Sequence, residues 1–229
     1  MELMNYHELT DELIQDGYLK TKEIIEAFER TDRADFVPED QKEYASCNTP
    51  LSVGYNQTIS QPLSVAFMLE LLQPKPGEKI MDIGSGSGWQ AAILADIVES
   101  TPSGDERPAQ DEGEGSRGSV IAIERIAELK AMSEVNMQPY GFVERGTVTF
   151  ILGNGAKGYK NGAPYDKIIA SASSEGDVPL QWKRQLKIGG RIVAPVGSSI
   201  VVIDKVSKTK YNKKEYFGFS FAPLIVDQQ

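Results

Sequence analysis

An acid and three glycines stand at a strand-to-helix turn in the segment KIMDIGSGSGWQAA (79–92): Asp82, Gly84, Gly86 and Gly88. Glycines at such a turn let the backbone bend tightly and approach a ligand without Cβ clashes. The helix that follows presents free N–H groups in its first turn. A dinucleotide site would need a further glycine at position 89, where this chain has tryptophan. S-Adenosylmethionine has no phosphate, and an acid near Asp82 can hold its ammonium group through water or backbone groups, so the spacing favours this compound.

A second acid, Glu124, ends the apolar run VIAIE (120–124) and is the candidate partner of ribose hydroxyls. Such an acid usually follows the glycine turn by about 20 residues, whereas Glu124 lies 40 residues beyond Gly84. Removing segment 100–118 restores the usual interval. The alternative for Glu124 is an acid that favours the dipole of the next helix.

Segment 100–118 contains no Val, Ile, Leu or aromatic residue and is rich in Gly, Pro, Ser and acids. It cannot bury apolar area, so the sequence predicts a mobile surface insertion. The alternative is a segment that binds a partner.

A third polar element, LGNGAKG (152–158), follows another predicted strand. We expect the adenine ring to lie here, with its exocyclic amine donating to Asn154 and with Gly155 beside it. The alternative is a tight Asn-Gly turn without a ligand.

The elements that must position these residues alternate from residue 79 onward. Predicted strands are 79–83, 118–124, 146–152, 165–171 and 189–197, and predicted helices are 88–99, 125–137 and 179–186. Most of the strands are apolar throughout, which is typical of a parallel sheet covered on both faces. We therefore predict an α/β fold: a Rossmann-like, doubly wound, mostly parallel sheet with helices on both faces.

The two ends of the chain have other patterns. The first 35 residues are predicted to be helical, with Thr21 as an N-cap, and a further helix spans 62–72 with Pro62 in its first turn. Segments 199–206 and 215–226 are predicted to form a C-terminal antiparallel pair. The basic run between them, 205–214, is then a solvated turn, with a polyanion site as the alternative.

We predict one domain over 1–229. Residues 1–75 would form N-terminal helices and an active-site loop, 76–197 a cofactor-binding core, and 198–229 C-terminal strands.

The net charge of −9 disfavours nucleic acid as a partner. No apolar run is long enough to span a membrane, and the first residues lack the pattern of a secretory signal. One cysteine and one histidine exclude a thiolate or imidazole metal cluster, so we expect no metal. The single cysteine also excludes an internal disulfide, which favours the cytoplasm, and we expect a monomer.

Six segments resemble the protein-L-isoaspartate O-methyltransferase family, in order and over nearly the whole chain. They are DFVPE, PLSVGYNQTISQP, MDIGSGSG, GNGAKGYKNGAPYDKII, QLKIGGRIVAPVG and FAPLIV. The glycine turn is shared by most class I methyltransferases, whereas GYNQTISQP and GAPYDKII are much more specific to this family.

The resemblance implies a reaction and a set of residues. Such enzymes transfer the methyl group of S-adenosylmethionine to the α-carboxylate of L-isoaspartyl residues in damaged proteins. The ester then cyclises to a succinimide, which reopens partly to aspartate. The active-site serine of the family corresponds to Ser60, and the loop residues Gln57, Thr58, Ile59 and Ser60 would contact the cofactor.

The residues are compatible with that chemistry. A carboxylate nucleophile is already ionised at pH 7, so a site without histidine needs no general base. Ser60 is small, neutral and a donor, and it can hold one carboxylate oxygen while the other attacks. Gly54 would let this loop move, and Trp89 would pack under the cofactor. The alternative for Ser60 is an N-cap of the helix that begins at Pro62.

Two departures keep other readings open. The family usually has Gly-Asp-Gly where this chain has Asn154 between glycines, and its loop after the fourth strand is shorter than 171–179 here. The alternatives are another class I methyltransferase and a non-catalytic module that binds S-adenosylmethionine or isoaspartyl groups. An NAD-dependent oxidoreductase is disfavoured because no acid/base pair for hydride chemistry is visible.

Overall fold

The computed structural model describes residues 5–100 and 118–226. Its helices are α1 (Tyr6–Gln15), α2 (Lys22–Arg30), α3 (Pro62–Leu72), α4 (Trp89–Glu99), α5 (Ala127–Met137) and α6 (Leu180–Gln185). Its strands are β1 (Leu51–Gly54), β2 (Gln57–Ile59), β3 (Lys79–Ile83), β4 (Ser119–Glu124), β5 (Val148–Leu152), β6 (Tyr165–Ala170), β7 (Leu186–Val196), β8 (Ser199–Lys205) and β9 (Tyr211–Phe217). Short 3-10 turns lie at Arg33–Phe36, Glu39–Tyr44, Gln138–Tyr140, Gly155–Lys157 and Lys160–Gly162.

The N-terminal helices begin at local signals. Asn5 and Glu8 cap α1 reciprocally, since each side chain accepts the backbone N–H of the other residue. Pro62 opens α3 as predicted. Thr21 precedes α2 as predicted, but its side chain makes no cap. Instead the Thr21 hydroxyl donates to Glu70 at 2.7 Å, which fastens α2 to α3.

Within the described residues, seven strands form one sheet in the order β5-β4-β3-β6-β7-β8-β9. The first five of these are parallel neighbours, and β7, β8 and β9 pair antiparallel. The chain fills one side of β3 with β4 and β5 and then crosses to β6 on the other side. The sheet therefore has a topological switch point at β3, where ligands bind beyond the carboxyl ends of the strands.

The two faces of the sheet bury separate apolar clusters. Ile80 of β3 joins a cluster that includes residues of α1 to α5. The next residue, Met81, points the other way, into a cluster that contains Trp182 of α6. Strands buried on both faces read as apolar throughout, so the doubly wound architecture is confirmed.

The predicted C-terminal pair exists, but the boundaries of its second strand were wrong. That strand is β9, not 215–226, and it ends before Gly218, whose φ of +100° turns the chain out of the sheet. Apolar residues at 219–226 suggested a strand, whereas they form an irregular segment. The basic run is also split: 206–210 connects β8 to β9, while 211–214 belongs to β9.

The predicted insertion 100–118 lies outside the described residues except at its two ends. In the described part of the chain, no helix combines the length and apolar character needed to cross a membrane.

Candidate active site

A cavity of about 420 Å³ opens at the carboxyl ends of β3, β4 and β6. Its floor is formed by the glycine turn after β3 and by the end of β4. One wall comes from β2 and the start of α3, and another from the C-terminal segment, residues 220–225. This volume is typical of a site for a small molecule, and the switch point is where such a molecule is expected.

Of the three glycines in this turn, Gly88 alone lies close to a neighbouring element. Gly88 has a φ of +97°, and a Cβ there would lie 3.0 Å from the Cβ of Ser133 on α5. Gly86 has a φ of +55° but open space where a Cβ would be. Gly88 therefore lets α4 and α5 pack, whereas Gly84 and Gly86 line the cavity.

Glu124 is buried at the end of β4, and its carboxylate is held by three backbone donors. The Gly86 N–H donates to Oε2 at 3.0 Å. The N–H groups of Arg125 and Ile126 donate to Oε1 at 2.8 and 2.9 Å. A carboxylate oxygen can accept two hydrogen bonds, so Oε2 retains a free acceptor position beside the glycine turn.

Asp82 lies beneath the cavity and is not part of its wall. Its side chain is fully buried, and Oδ1 accepts a hydrogen bond of 2.7 Å from Gln90 Nε2. Burial raises the pKa of Asp82 to about 7, and the nearby negative charge of Glu124 contributes. Gln90 lines the cavity, so Asp82 is connected to the cavity wall through Gln90, and its contact with the cofactor stays a prediction.

Three buried polar atoms of the cavity wall have no hydrogen-bond partner within the described residues: Ser85 Oγ, Ser87 Oγ and Gln90 Oε1. Buried polar groups are nearly always hydrogen-bonded in native proteins. These atoms, together with the acceptor position on Glu124, fit a polar ligand that donates and accepts hydrogen bonds. They match the hydroxyl, ammonium and carboxylate groups of S-adenosylmethionine.

The segment GYNQTISQP (54–62) was predicted as a loop, which was wrong for 54–59, because residues 51–59 form a β-hairpin. Strands β1 and β2 pair antiparallel, and the two residues between them, Tyr55 and Asn56, have φ values of 54° and 55°. Two consecutive left-handed residues make the tight turn that suits the twist of paired strands. Gly54, with a φ of +85°, therefore serves the turn of a hairpin.

Gln57, Thr58, Ile59 and Ser60 all line the cavity from this hairpin. The hydroxyl of half-buried Ser60 makes no hydrogen bond within residues 5–100 and 118–226. Ser60 does not cap α3: the N-cap position is Gln61, and Asn48 Oδ1 accepts the Leu63 N–H at 3.0 Å. The cap alternative is therefore excluded, and the hydroxyl is available to a ligand.

Asn154 and Gly155 differ in their relation to the cavity. The side chain of Asn154 accepts the Ala156 N–H at 2.9 Å and caps a 3-10 turn, and Asn154 is not part of the cavity wall. Gly155 is part of that wall, and a Cβ on it would lie 2.5 Å from Ile83 Cγ2. The tight turn considered for this segment is present, and contact with adenine stays a prediction.

The C-terminal segment was not predicted as a wall of the cavity. It runs beside the loop after β6, where Ser173 N–H donates to Ala222 O and Leu224 N–H donates to Ser173 O. Phe219 stacks on Phe67 of α3 with ring centroids 5.1 Å apart. The only signal in the sequence is the apolar run itself, which is equally typical of a strand.

Trp89 was expected beneath the cofactor, and this buried residue is part of the cavity wall. Its ring Nε1–H donates to the carbonyl of Thr31 at 3.0 Å, and its ring packs edge-on against Phe28. The residue therefore connects the cavity floor with the N-terminal helices.

A parallel sheet with its cavity at the switch point is shared by many nucleotide-binding proteins. The tryptophan in place of the third glycine separates this site from the dinucleotide pattern. Fold and site together define the class of Rossmann-like methyltransferases.

A sequence model described as protein-L-isoaspartate(D-aspartate) O-methyltransferase matches residues 4–229. A protein-L-isoaspartate O-methyltransferase of Staphylothermus marinus is 38% identical over 94% of this chain and 91% of its own length. That of Methanopyrus kandleri is 35% identical over 96% and 91%, respectively. The chain therefore belongs to the protein-L-isoaspartate O-methyltransferase family.

A solved Plasmodium falciparum structure, assigned to the same activity and in complex with S-adenosyl-L-homocysteine, has a similar fold. The TM-score is 0.81, with 21% identity over 97% of this chain and 99% of that one. At this identity the likeness supports the fold alone.

Proposed function

We propose that this protein transfers a methyl group from S-adenosylmethionine to the free carboxylate of L-isoaspartyl residues in damaged proteins. The ester would then cyclise to a succinimide, so that part of the damage is repaired. Membership of the family supports this activity. The observation that carries it is the free Ser60 hydroxyl on the wall of the cavity whose floor contains Glu124.

We assign the cofactor to the cavity floor. Glu124 would accept the ribose hydroxyls, and the glycine turn, with Gly84 and Gly86, would allow close approach of the backbone. Gln90, held by Asp82, and the hydroxyls of Ser85 and Ser87 would satisfy the amino-acid end. When bound, S-adenosylmethionine supplies an electrophilic methyl group on a positively charged sulfur.

Ser60 is proposed to orient the substrate carboxylate. That group is ionised at neutral pH because its pKa lies near 4, so the protein has no proton to remove. A hydrogen bond from the Ser60 hydroxyl to one carboxylate oxygen would fix the direction of the other. Orientation of this kind can lower a reaction barrier substantially.

The hairpin and the C-terminal segment are proposed to exclude water from the reacting groups. Both contribute apolar side chains to the cavity, including Ile59, Pro223 and Leu224. Removing water strengthens electrostatic interactions inside a site. A neutral serine suits this setting, because a lysine or arginine in its place would repel a cationic methyl donor.

The decisive experiment measures transfer of tritiated methyl groups from S-adenosylmethionine to an isoaspartyl peptide, with the normal aspartyl peptide as the control. We expect transfer to the first peptide and none to the second. Equal transfer to both, or transfer only to a small molecule, would indicate another class I methyltransferase. Calorimetric binding of the cofactor without any transfer would indicate a non-catalytic binding module.

We further propose that the protein acts as a cytoplasmic monomer without nucleic acid. The single cysteine and the net charge of −9 support this proposal. Size-exclusion chromatography with light scattering should give the monomer mass of 25.2 kDa. Fractionation of cells that express the protein tests the compartment.

A further inference from the structure

Arg33 is a fully buried arginine that binds main-chain carbonyls. Its Nη1 donates to Ala45 O at 2.9 Å and Cys47 O at 3.1 Å. Its Nη2 donates to Thr49 O at 2.8 Å and to Ser60 O at 3.0 Å. One guanidinium thus joins the chain before the hairpin to the residue after it.

The burial of this charge is unusual. In the part of the chain that the structure describes, no carboxylate lies within ion-pair distance of Arg33. Burial lowers the pKa of Arg33 to about 10, so the side chain is still charged at neutral pH. Burying a charge without a countercharge is costly, and four carbonyl acceptors offset only part of that cost.

The same guanidinium contacts the cofactor side of the site. Its Cζ lies 5.5 Å from the centre of the Trp89 ring, an arrangement that attracts a cation to the aromatic face. Trp89 is the first residue of α4, directly after the glycine turn, and its other edge is fixed to Thr31 O. Arg33 is therefore in contact with both the Ser60 backbone and the helix that begins at the cofactor turn.

We propose that Arg33 is a positioning residue that holds Ser60 at a fixed place relative to the first turn of α4. The inference rests on the proposed function, because it gives Ser60 its role in orienting the carboxylate. Arg33 does not line the cavity, so it acts through the Ser60 main chain. A small displacement of an orienting group is enough to reduce turnover strongly.

A double-mutant cycle tests this role. Arg33→Met removes the donors and keeps most of the volume, and it is combined with Ser60→Ala. We expect Arg33→Met to lower kcat about tenfold in the wild-type background but less than about twofold in the Ser60→Ala background, because coupled residues are not additive. An equal loss in both backgrounds would overturn the proposal, since a merely structural role does not depend on the Ser60 hydroxyl.

Two further variants keep the test interpretable. Arg33→Lys retains the charge but has fewer donors, so we expect an intermediate kcat and the same dependence on Ser60. It replaces Arg33→Met in the cycle if that variant does not fold by circular dichroism. Arg191→Met is the control for loss of an arginine contact outside the site, because Arg191 donates to Leu71 O at 2.8 Å and pairs with Asp204 but lies outside the cavity wall.

Arg191→Met should lower stability and leave kcat unchanged. A comparable loss of kcat in Arg191→Met would show that Arg33→Met acts through general destabilisation. If the wild-type protein methylates no isoaspartyl peptide, the proposed function fails, and this inference fails with it.

Discussion

Ser60 has a hydroxyl without a partner in the described part of the chain, placed where a ligand would meet it. We predict that Ser60→Ala lowers turnover of an isoaspartyl peptide at least about tenfold, because a hydrogen bond to a charged group contributes about 1.5–3 kcal/mol. Folding should survive, since no other residue depends on this hydroxyl. Ser52→Ala in the same hairpin is the control, because Ser52 does not line the cavity. Unchanged turnover in Ser60→Ala would exclude the assigned role.

Glu124 receives three backbone N–H donors, which a glutamine amide cannot all accept. We predict that Glu124→Gln weakens S-adenosylmethionine binding about tenfold or more, as measured by calorimetry. Glu128→Gln, at an exposed acid in the first turn of α5, should bind like the wild type. Equal affinity of both variants would remove Glu124 from the cofactor site.

Asp82 should make stability depend on pH. Its pKa is raised to about 7 in the folded protein but is near 3.9 in an unfolded chain. Between these values the folded state binds a proton that the unfolded state releases, so this group stabilises the fold at low pH. The contribution is lost as pH rises through 7.

We therefore predict that Asp82→Asn flattens the pH dependence of stability. The variant should gain roughly 2–4 kcal/mol relative to the wild type on going from pH 4 to pH 8. Urea unfolding of both proteins at the two pH values measures the difference. The same difference at both values would show that Asp82 is ionised in the folded state throughout this range.

Residues that act within a short stretch could be predicted from the sequence. The glycine turn and Glu124 are recognisable because spacing along the chain carries their chemistry, and the structure places them around one cavity. Arg33 could not be found in this way. It stands among charged residues in TDRADF (31–36) and resembles a solvated side chain until the fold brings four carbonyls around it.

At the scale of elements, one aromatic contact joins the C-terminal segment to α3. We predict that Phe219→Ala, which removes the stack on Phe67, raises KM for the isoaspartyl peptide or the cofactor several-fold, because a wall of the cavity loosens. Phe217→Ala is the matched control, since Phe217 is 75% exposed and lies before the turn at Gly218. If the two variants have the same kinetics, this wall does not need the stack.

Elements were predictable where hydrophobic pattern and local chemistry agree, as in β3 and α4. The β1–β2 hairpin was missed because its turn uses Tyr55 and Asn56 in place of glycine. Strand β9 was misplaced because its exposed side chains, such as Lys213 and Lys214, have no apolar period. In both cases tertiary contacts decide what local propensity does not.

At the scale of the whole molecule, hydrogen bonds and an ion pair join the N-terminal helices to α4. Tyr6 and Trp89 both donate to Thr31 O, and Arg30 forms a bidentate ion pair with Asp96 of α4. We propose that the chain folds as one domain, with a single unfolding transition whose midpoint rises when the cofactor is bound.

The two tryptophans allow that transition to be followed on each face of the sheet, because Trp89 and Trp182 belong to different apolar clusters. In the Trp89→Phe and Trp182→Phe variants, the remaining tryptophan reports on one face only. In each variant, the urea midpoint from fluorescence should equal the midpoint from circular dichroism. Two separate transitions would mean that the N-terminal part unfolds independently.

The junction between α4 and β4 has a practical consequence. Val98 and Gly118 are close enough that a Cβ on Gly118 would lie 2.5 Å from the Val98 Cβ. Strand β4 begins here, at the end of the strands opposite to the cavity. A fluorophore or an affinity tag inserted between residues 100 and 118 would therefore be attached at the end of the strands opposite to the cavity. Such a fusion offers a way to follow the protein in a living cell with its chemistry intact.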